Sequence, residues 1–217
     1  MTGSGTPPQE TELKLVVDDR AALDAVLAHL GPARATKHQD NLYFDAVDGV
    51  WGSAGFAVRL RDENDVVRLT VKTKGTDAGD FVARGEWETS MDPEAAVALR
   101  EGGEALLEAV RALLDAHGAT VPDTLAAAPL VAVGSMRNVR RRATLPGQDD
   151  LTVEADETTY PNGDVRFEVE LEVPDVARAP EASQALRSAF ERAGVAWRPS
   201  RVTKRERLER VLRGESA

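Results

Sequence analysis

Charged residues recur at every second position in the strand-like stretches of this chain, grouped by sign. Glu10, Glu12 and Lys14 alternate with Thr11, Leu13 and Leu15, and Glu168, Glu170 and Glu172 alternate with Val169, Leu171 and Val173. Arg59 and Arg61 flank Leu60. Lys72 and Lys74 share a face opposite Val71. Arg84, Glu86 and Glu88 alternate with Gly85 and Trp87, and Glu154 and Asp156 sit opposite Val153 and Ala155. Arg140 and Arg142 follow the same rule, although the adjacent Arg141 leaves that register open. In a strand, positions i and i+2 share a face, so each set is a row of charge on one side of a sheet. A merely solvated face mixes Ser, Thr, Lys and Glu and pairs opposite signs across strands. Same-sign pairs and triplets repel, and the expectation is that a ligand neutralises them. Carboxylate rows gather hard cations such as Mg²⁺ or Mn²⁺; Arg and Lys rows gather an anion with several oxygens, most obviously a polyphosphate.

The remaining composition narrows the chemistry. No cysteine occurs among the 217 residues, which excludes disulfides, thiol catalysis and thiolate metal sites. The histidines, His29, His38 and His117, are scattered, so a metal must rest on carboxylates. A net charge of −10 argues against nucleic acid or an anionic membrane as partner. No apolar run approaches the roughly 20 residues that span a bilayer. The start of the chain, MTGSGTPPQE, has no hydrophobic signal region, so the cytoplasm is the expected compartment.

The elements that position these rows follow from periodicity and punctuation. Residues 1–9 read as a tail, 10–213 as a single domain and 214–217 as a second tail. A strand begins at Glu10. Asp18 and Asp19 cap a helix over Arg20 to Leu30, closed by Gly31-Pro32. Extended chain from Arg34 to Val47 precedes strands at Phe56–Arg61 and Val66–Lys74, joined by a turn at Asp62–Asp65. A loop at Gly75–Asp80 leads to a strand at Phe81–Thr89. Asp92-Pro93 opens a helix that runs to His117-Gly118, with a break at Gly102-Gly103. Strands at Leu130–Thr144, Leu151–Tyr160 and Val165–Val173 follow, the last two joined by a hairpin at Pro161–Asp164. Helices fit Pro180–Ala193 and the basic stretch Val202–Leu212. The class is α+β. Curling the strands into a closed antiparallel barrel turns the charged face inward and leaves the apolar face for the helices.

At this level the residues resemble a family. Glu10-Thr-Glu12-Leu-Lys14 is similar to the ExExK signature of the CYTH superfamily, the triphosphate tunnel metalloenzymes. In the same order, Asn41-Leu-Tyr43-Phe44-Asp45 resembles its YFDT-like segment, with Ala46 in place of the usual small polar residue. Arg59-Leu-Arg61 resembles its RxR strand, and Thr70-Val-Lys72-Thr-Lys74 its lysine strand. Arg84-Gly-Glu86-Trp-Glu88 resembles its RxExE strand, and Glu168-Val-Glu170-Leu-Glu172 its second acidic strand. The segment from Ser200 to Arg207 resembles its lysine-containing C-terminal segment, with Lys204 as the lysine. The resemblance implies an eight-stranded antiparallel tunnel with helices outside, which binds a triphosphate end-on and uses Mg²⁺ or Mn²⁺. It implies metal ligands at Glu10, Glu12, Glu168, Glu170 and Glu172. Phosphate oxygens fall to Lys14, Arg59, Arg61, Lys72, Lys74, Arg84, Arg140, Arg142 and Lys204. Glu88, Asp156 and Lys14 are the catalytic candidates, the two acids as groups that place water or a second metal.

The activity expected from these parts is metal-dependent hydrolysis of inorganic triphosphate to pyrophosphate and phosphate. The alternatives are thiamine triphosphatase, a class IV-type adenylate cyclase and a non-catalytic polyphosphate-binding module. The five metal-type carboxylates favour an enzyme over a binder. The expected partner is a small triphosphate, with no nucleic acid and no membrane, and the reading leaves room for a homodimer. Trp51, Trp87 and Trp197 are read as packing residues, His38 as a solvated strand residue, and Tyr43 and Phe44 as ordinary strand aromatics. The basic C-terminal helix is read as solvated, with one inward lysine.

Overall fold

Alternation of apolar and charged residues sets the strands, and the structure, a computed structural model, describes residues 9–126 and 129–217. The tail expected over 1–9 lies outside the described residues except for Gln9, which opens β1 (Gln9–Val17). There follow α1 (Arg20–Leu27), β2 (Ala33–Asp45), the single turn α2 (Val50–Ser53), β3 (Ala57–Glu63), β4 (Val66–Lys72), β5 (Thr76–Ala78) and β6 (Phe81–Met91). Helices α3 (Pro93–Arg100), α4 (Gly103–Asp115) and α5 (Asp123–Ala126) precede β7 (Val131–Leu145), β8 (Gln148–Thr159) and β9 (Val165–Val173). The order ends with α6 (Ala179–Ala193), β10 (Arg198–Pro199) and α7 (Lys204–Leu212).

The strands hydrogen-bond in the order β10-β1-β9-β8-β7-β2-β3-β4-β6-β5, and β1 also pairs with β6. Eight of them therefore close into a ring, the closed antiparallel barrel that the alternation implies. By internal contacts the chain divides into two compact units. One gathers Asp40–Gly75 and Arg84–Ser135, the other Glu10–Gln39, Thr76–Ala83 and Met136–Ala217.

Each unit has its own core, built from the apolar half of the alternation. In the first, Val58, Leu60, Val67, Leu69, Val71 and Trp87 pack with Trp51 against α3 and α4. α4 supplies Leu106, Leu107, Val110, Leu113 and Leu114, the spacing of a single helical face. In the second, Leu13, Leu15, Val153, Ala155, Val169 and Leu171 pack against Leu23 and Val26 of α1 and Leu186 and Phe190 of α6. Each fully buried side chain of this kind contributes about 1.5–3 kcal/mol. With the apolar set committed to helices on one face, the register of every strand is fixed, and the charged set faces the other way.

Several boundaries differ from expectation for identifiable reasons. The Asp62–Asp65 turn shrinks to Asn64-Asp65, both at positive φ (48° and 67°), because the flanking residues continue the ladder as Glu63↔Val66. The stretch 75–80 is not all loop, since Thr76–Ala78 folds back on Phe81–Ala83. β4 ends at Lys72, so Lys74 does not share its face; it is exposed in the following loop, where Thr73 N donates to Gly85 O at 2.9 Å. Arg141 lies on the helix-bearing face and pairs with Asp24 of α1, which settles the register left open at Arg140–Arg142. The long helix breaks at Gly102 and Gly103, with φ of 74° and 72°.

Gly102 also makes a close approach: a Cβ there would meet Leu130 O at 2.4 Å. Gly102→Ala should therefore destabilise the first unit by at least about 2 kcal/mol. Urea unfolding followed by tryptophan fluorescence would show it, and a change within about 0.5 kcal/mol, the range of an ordinary surface substitution, would disprove it.

Candidate functional site

The second unit concentrates charge on the face turned away from its helices. β1, β9, β8 and β7 are neighbours, and Lys14 stands opposite Glu170, Glu170 opposite Glu154, and Glu154 opposite Arg142. One rung along, Glu168 stands opposite Asp156, and Asp156 opposite Arg140. Arg140 joins the two rungs. Its Nε donates to Asp156 Oδ1 at 2.8 Å, its Nη2 to Asp156 Oδ2 at 2.6 Å and Glu170 Oε2 at 2.7 Å, and its Nη1 pairs with Glu154. Lys14 Nζ lies 2.9 Å from Glu170 Oε1 and 3.3 Å from Glu12 Oε1.

Two further cations arrive from α7. β10 pairs with β1, and Ser200 N donates to Lys14 O at 3.0 Å, which leads the chain to the end of the rungs. A capping box then starts the helix: Glu206 N donates to Thr203 Oγ1 at 3.1 Å, and Thr203 N to Glu206 Oε2 at 2.6 Å. Lys204 and Arg207, three residues apart, share a face. Lys204 Nζ lies 2.8 Å from Asp156 Oδ2 and 3.0 Å from Glu168 Oε2, and also contacts Glu170 Oε1. Arg207 pairs with Glu168 Oε1 and donates to Ser200 Oγ at 2.9 Å.

Burial makes these contacts strong. Asp156 and Glu168 are fully buried. Burial alone would raise the Glu170 pKa, but Lys14, Lys204 and Arg140 hold it well below the ordinary carboxylate range. Asp156 is likewise lowered, burial being outweighed by Arg140 and Lys204, and Glu168 by Lys204 and Lys14. Burial also opposes the charge on Lys14 and Lys204, yet both are raised, Lys14 by Glu12 and Glu170, Lys204 by Asp156, Glu168 and Glu170. Tyr160, buried beside Glu168, is pushed up to about 12.

The first unit carries a second charged face. Glu86 stands opposite Lys72, with an ion pair at 2.9 Å, and Glu88 opposite Thr70. Thr70 Oγ1 donates to Glu88 Oε2 at 3.1 Å and accepts from Arg59 Nη2 at 3.2 Å, while Arg68 Nη1 donates to Glu88 Oε1 at 2.8 Å. Arg61 Nε donates to Asn41 Oδ1 at 2.9 Å. Arg59 is buried; burial opposes its charge, but Tyr43, Glu86 and Glu88 raise its pKa. Tyr43 is thus part of the charged face rather than an ordinary strand aromatic. Asp45 is a scaffold group, its carboxylate accepting from the N–H groups of Ala46, Trp51 and Gly52.

The CYTH domain model matches residues 8–196 of the 217. The chain belongs to the CYTH domain family. Among solved structures, HpAC1 from Hippeastrum, studied as an adenylyl cyclase and described as having a dominant triphosphatase activity, superposes with a TM-score of 0.74 at 25% identity, covering 96% of this chain and 97% of that one. A Bacillus halodurans protein named as an adenylate cyclase candidate gives 0.61 at 17% identity, over 91% and 97%. PH1819 from Pyrococcus horikoshii gives 0.58 at 17% identity, over 92% and 99%. No curated protein matches the chain.

In this CYTH chain the structure gathers Glu12, Lys14, Arg140, Arg142, Asp156, Glu168, Glu170 and Lys204 in the second unit, and Arg59, Arg61, Lys72, Arg84 and Glu88 on the strands of the first. Glu10 and Glu172 continue the acidic rows beyond Glu12, but Glu172 is exposed. The rows of the second unit meet both signs: the acids of β8 face the acids of β9 on one side and Arg140 and Arg142 of β7 on the other, and Lys14, Lys204 and Arg207 supply further counter-charge. The C-terminal helix turns two cations inward, not one. Arg207 was legible as the i+3 neighbour of Lys204, and Glu154 as the i−2 neighbour of Asp156. Arg68, by contrast, sits in a stretch with no charged i±2 partner. Trp51 and Trp87 are core residues, and Trp197 packs under the Arg187 guanidinium, 4.8 Å from its ring centroid.

The metal that the family implies finds suitable donors here. Asp156, Glu168 and Glu170 are hard oxygen ligands that converge on one cation, the Lys204 ammonium. Among the described residues no group of three or more acids or histidines is arranged to hold a metal ion.

Because the three carboxylates have lowered pKa values in the folded state, their contribution to stability is complete above about pH 5 and is lost as pH falls through those values. The raised Lys14 and Lys204 contribute fully below about pH 10. Thermal melts across pH should show a plateau between these limits and a steep acid limb; an unchanged melting temperature down to about pH 3 would show that the network does not hold the fold.

Proposed function

We propose that this CYTH protein is a divalent-metal-dependent hydrolase of triphosphates, with inorganic tripolyphosphate as substrate and pyrophosphate plus phosphate as products. The observation that carries the reading is the buried ionic network of the second unit. Apolar residues of similar volume would stabilise the fold as well or better, so ion burial on this scale points to use rather than to stability. HpAC1, with its dominant triphosphatase activity, supports a triphosphate substrate. Among the described residues no helix is long and apolar enough to cross a membrane.

The proposed roles follow from the contacts. Asp156, Glu168 and Glu170, with Glu12 beside them, would hold the metal, which when bound neutralises phosphate charge and makes a water more acidic. Lys14, Arg140, Arg142 and Lys204 would take phosphate oxygens, and Arg59, Arg61, Lys72 and Arg84 are assigned the same role by resemblance. Arg140 already shows the fork geometry that phosphate requires. These cations would hold the phosphoryl oxygens in line and stabilise the charge that develops in transfer. Asp156 is the weakest of the candidates for placing water, because both its oxygens accept from Arg140 and Oδ2 also meets Lys204. Glu88, partly exposed and held by Arg68 and Thr70, is the better one. The burial of Trp51 and Trp87 removes both as stacking surfaces for a thiazole or purine, which favours the substrate without an organic group.

Parallel phosphate-release assays on tripolyphosphate, thiamine triphosphate and ATP, each with Mg²⁺ and Mn²⁺, test the proposal. Tripolyphosphate should turn over fastest; faster turnover of ATP, or cyclic AMP as product, would overturn it. Glu170→Gln should lower the rate by about 10²-fold or more, as loss of a metal-site group does. An unimpaired variant would take Glu170 out of the site.

A further inference from the structure

Every oxygen of the three inner carboxylates of the second unit lies close to a protein cation, although Glu168 Oε2, ion-paired with Lys204, makes no hydrogen bond. Asp156 Oδ1 accepts from Arg140, and its Oδ2 meets Arg140 and Lys204. Glu170 Oε1 meets Lys14 and Lys204, and its Oε2 accepts from Arg140. Glu168 Oε1 meets Arg207 and its Oε2 meets Lys204. A divalent cation that draws on all three carboxylates must compete with those groups for their oxygens. Lys14 and Arg140 stand in the middle of β1 and β7, locked by the ladder on either side. Lys204 differs. It is the first residue of α7, follows a stretch without regular structure at 200–203, and touches all three carboxylates with a single ammonium. An ammonium on a flexible stem is a point charge that moves without breaking a planar fork, unlike a guanidinium.

From this arrangement we propose that Lys204 is a built-in competitor of the divalent cation, so that metal alone enters the carboxylate cluster weakly, by expelling the lysine, and enters readily once the lysine is drawn away by the phosphate oxygens of the arriving substrate. The inference rests on the metal-binding reading above and adds its regulation. Metal alone must expel a cation that already satisfies three carboxylates. A polyphosphate brings negative charge that Lys204 can follow, and it releases those oxygens as it does so. Metal and polyphosphate then favour each other's binding to the same degree, as linkage requires. The protein loads both together instead of standing charged with metal between turnovers.

The test uses Mn²⁺ alone, with no phosphate present, titrated into the full chain while free Mn²⁺ is counted by electron paramagnetic resonance. Lys204→Met should bind Mn²⁺ about 10-fold or more tightly than the unsubstituted protein, since the competing cation is gone and the carboxylates remain. Equal or weaker binding by the variant overturns the proposal. Should Lys204→Met fail to fold, hydrogen exchange on the unsubstituted protein decides. Saturating Mn²⁺ should speed exchange of the α7 amides relative to NaCl at matched ionic strength, because the helix loses its anchor; unchanged or slower exchange overturns the proposal. Hydrolysis of tripolyphosphate is a separate readout. Its absence would refute the substrate reading, whereas the Mn²⁺ titration bears on the competition alone.

Discussion

Opposite charges meeting across strands are the constraint on which this structure turns. Lys14 against Glu170, Arg142 against Glu154, and Arg140 against Asp156 are ladder partners, so the same backbone hydrogen bonds that build the sheet also bring the ions together. A slip of one residue in any of these strands would bury the ions among the leucines and valines that face α1 and α6, and expose those apolar residues instead. The apolar core fixes the register and the register fixes the ion pairs. The ionic face would be costly to bury if any member lacked a counterion; here each inner carboxylate has at least two cationic contacts.

Much of this was legible in the sequence. Alternation placed the strands within a few residues, the Asp92-Pro93 cap marked a helix start, and the acidic and basic rows identified the strands that carry the site. What sequence alone did not reveal is how rows of one sign are satisfied. Strand order in a barrel is non-sequential: β1 neighbours β9, and β7 neighbours β2. Glu170 and Lys14 are far apart along the chain, and no local pattern states that they are partners. Read strand by strand, the rows look repulsive; the cations that satisfy the inner carboxylates come from β1, β7 and α7.

The misread residues share a cause. Lys74 fits the alternation but lies past the end of β4, because Thr73 and Gly85 close the ladder at that point. Asp45, at the end of a signature segment, is a structural group whose carboxylate gathers the backbone N–H groups of the turn that leads to Trp51. Arg207 lies in a helix whose glutamates suggest solvent, yet it pairs with the buried Glu168. Periodicity identifies a face, but where the face ends and what meets it are decided by contacts from elsewhere in the chain.

The two residues of β10 do more than guide the chain to α7. β1 has β9 along one side, and its other side is shared between β6 and β10, with Leu15 falling to Pro199 and Val16 to Arg198. Without that short segment, part of a strand rich in apolar side chains would present a bare edge, the template on which sheets from separate molecules join. Proline is well chosen for the position, because it has no N–H to offer and so ends the sheet instead of extending it. The stretch that carries Lys204 toward the carboxylates thus also covers part of the edge of β1.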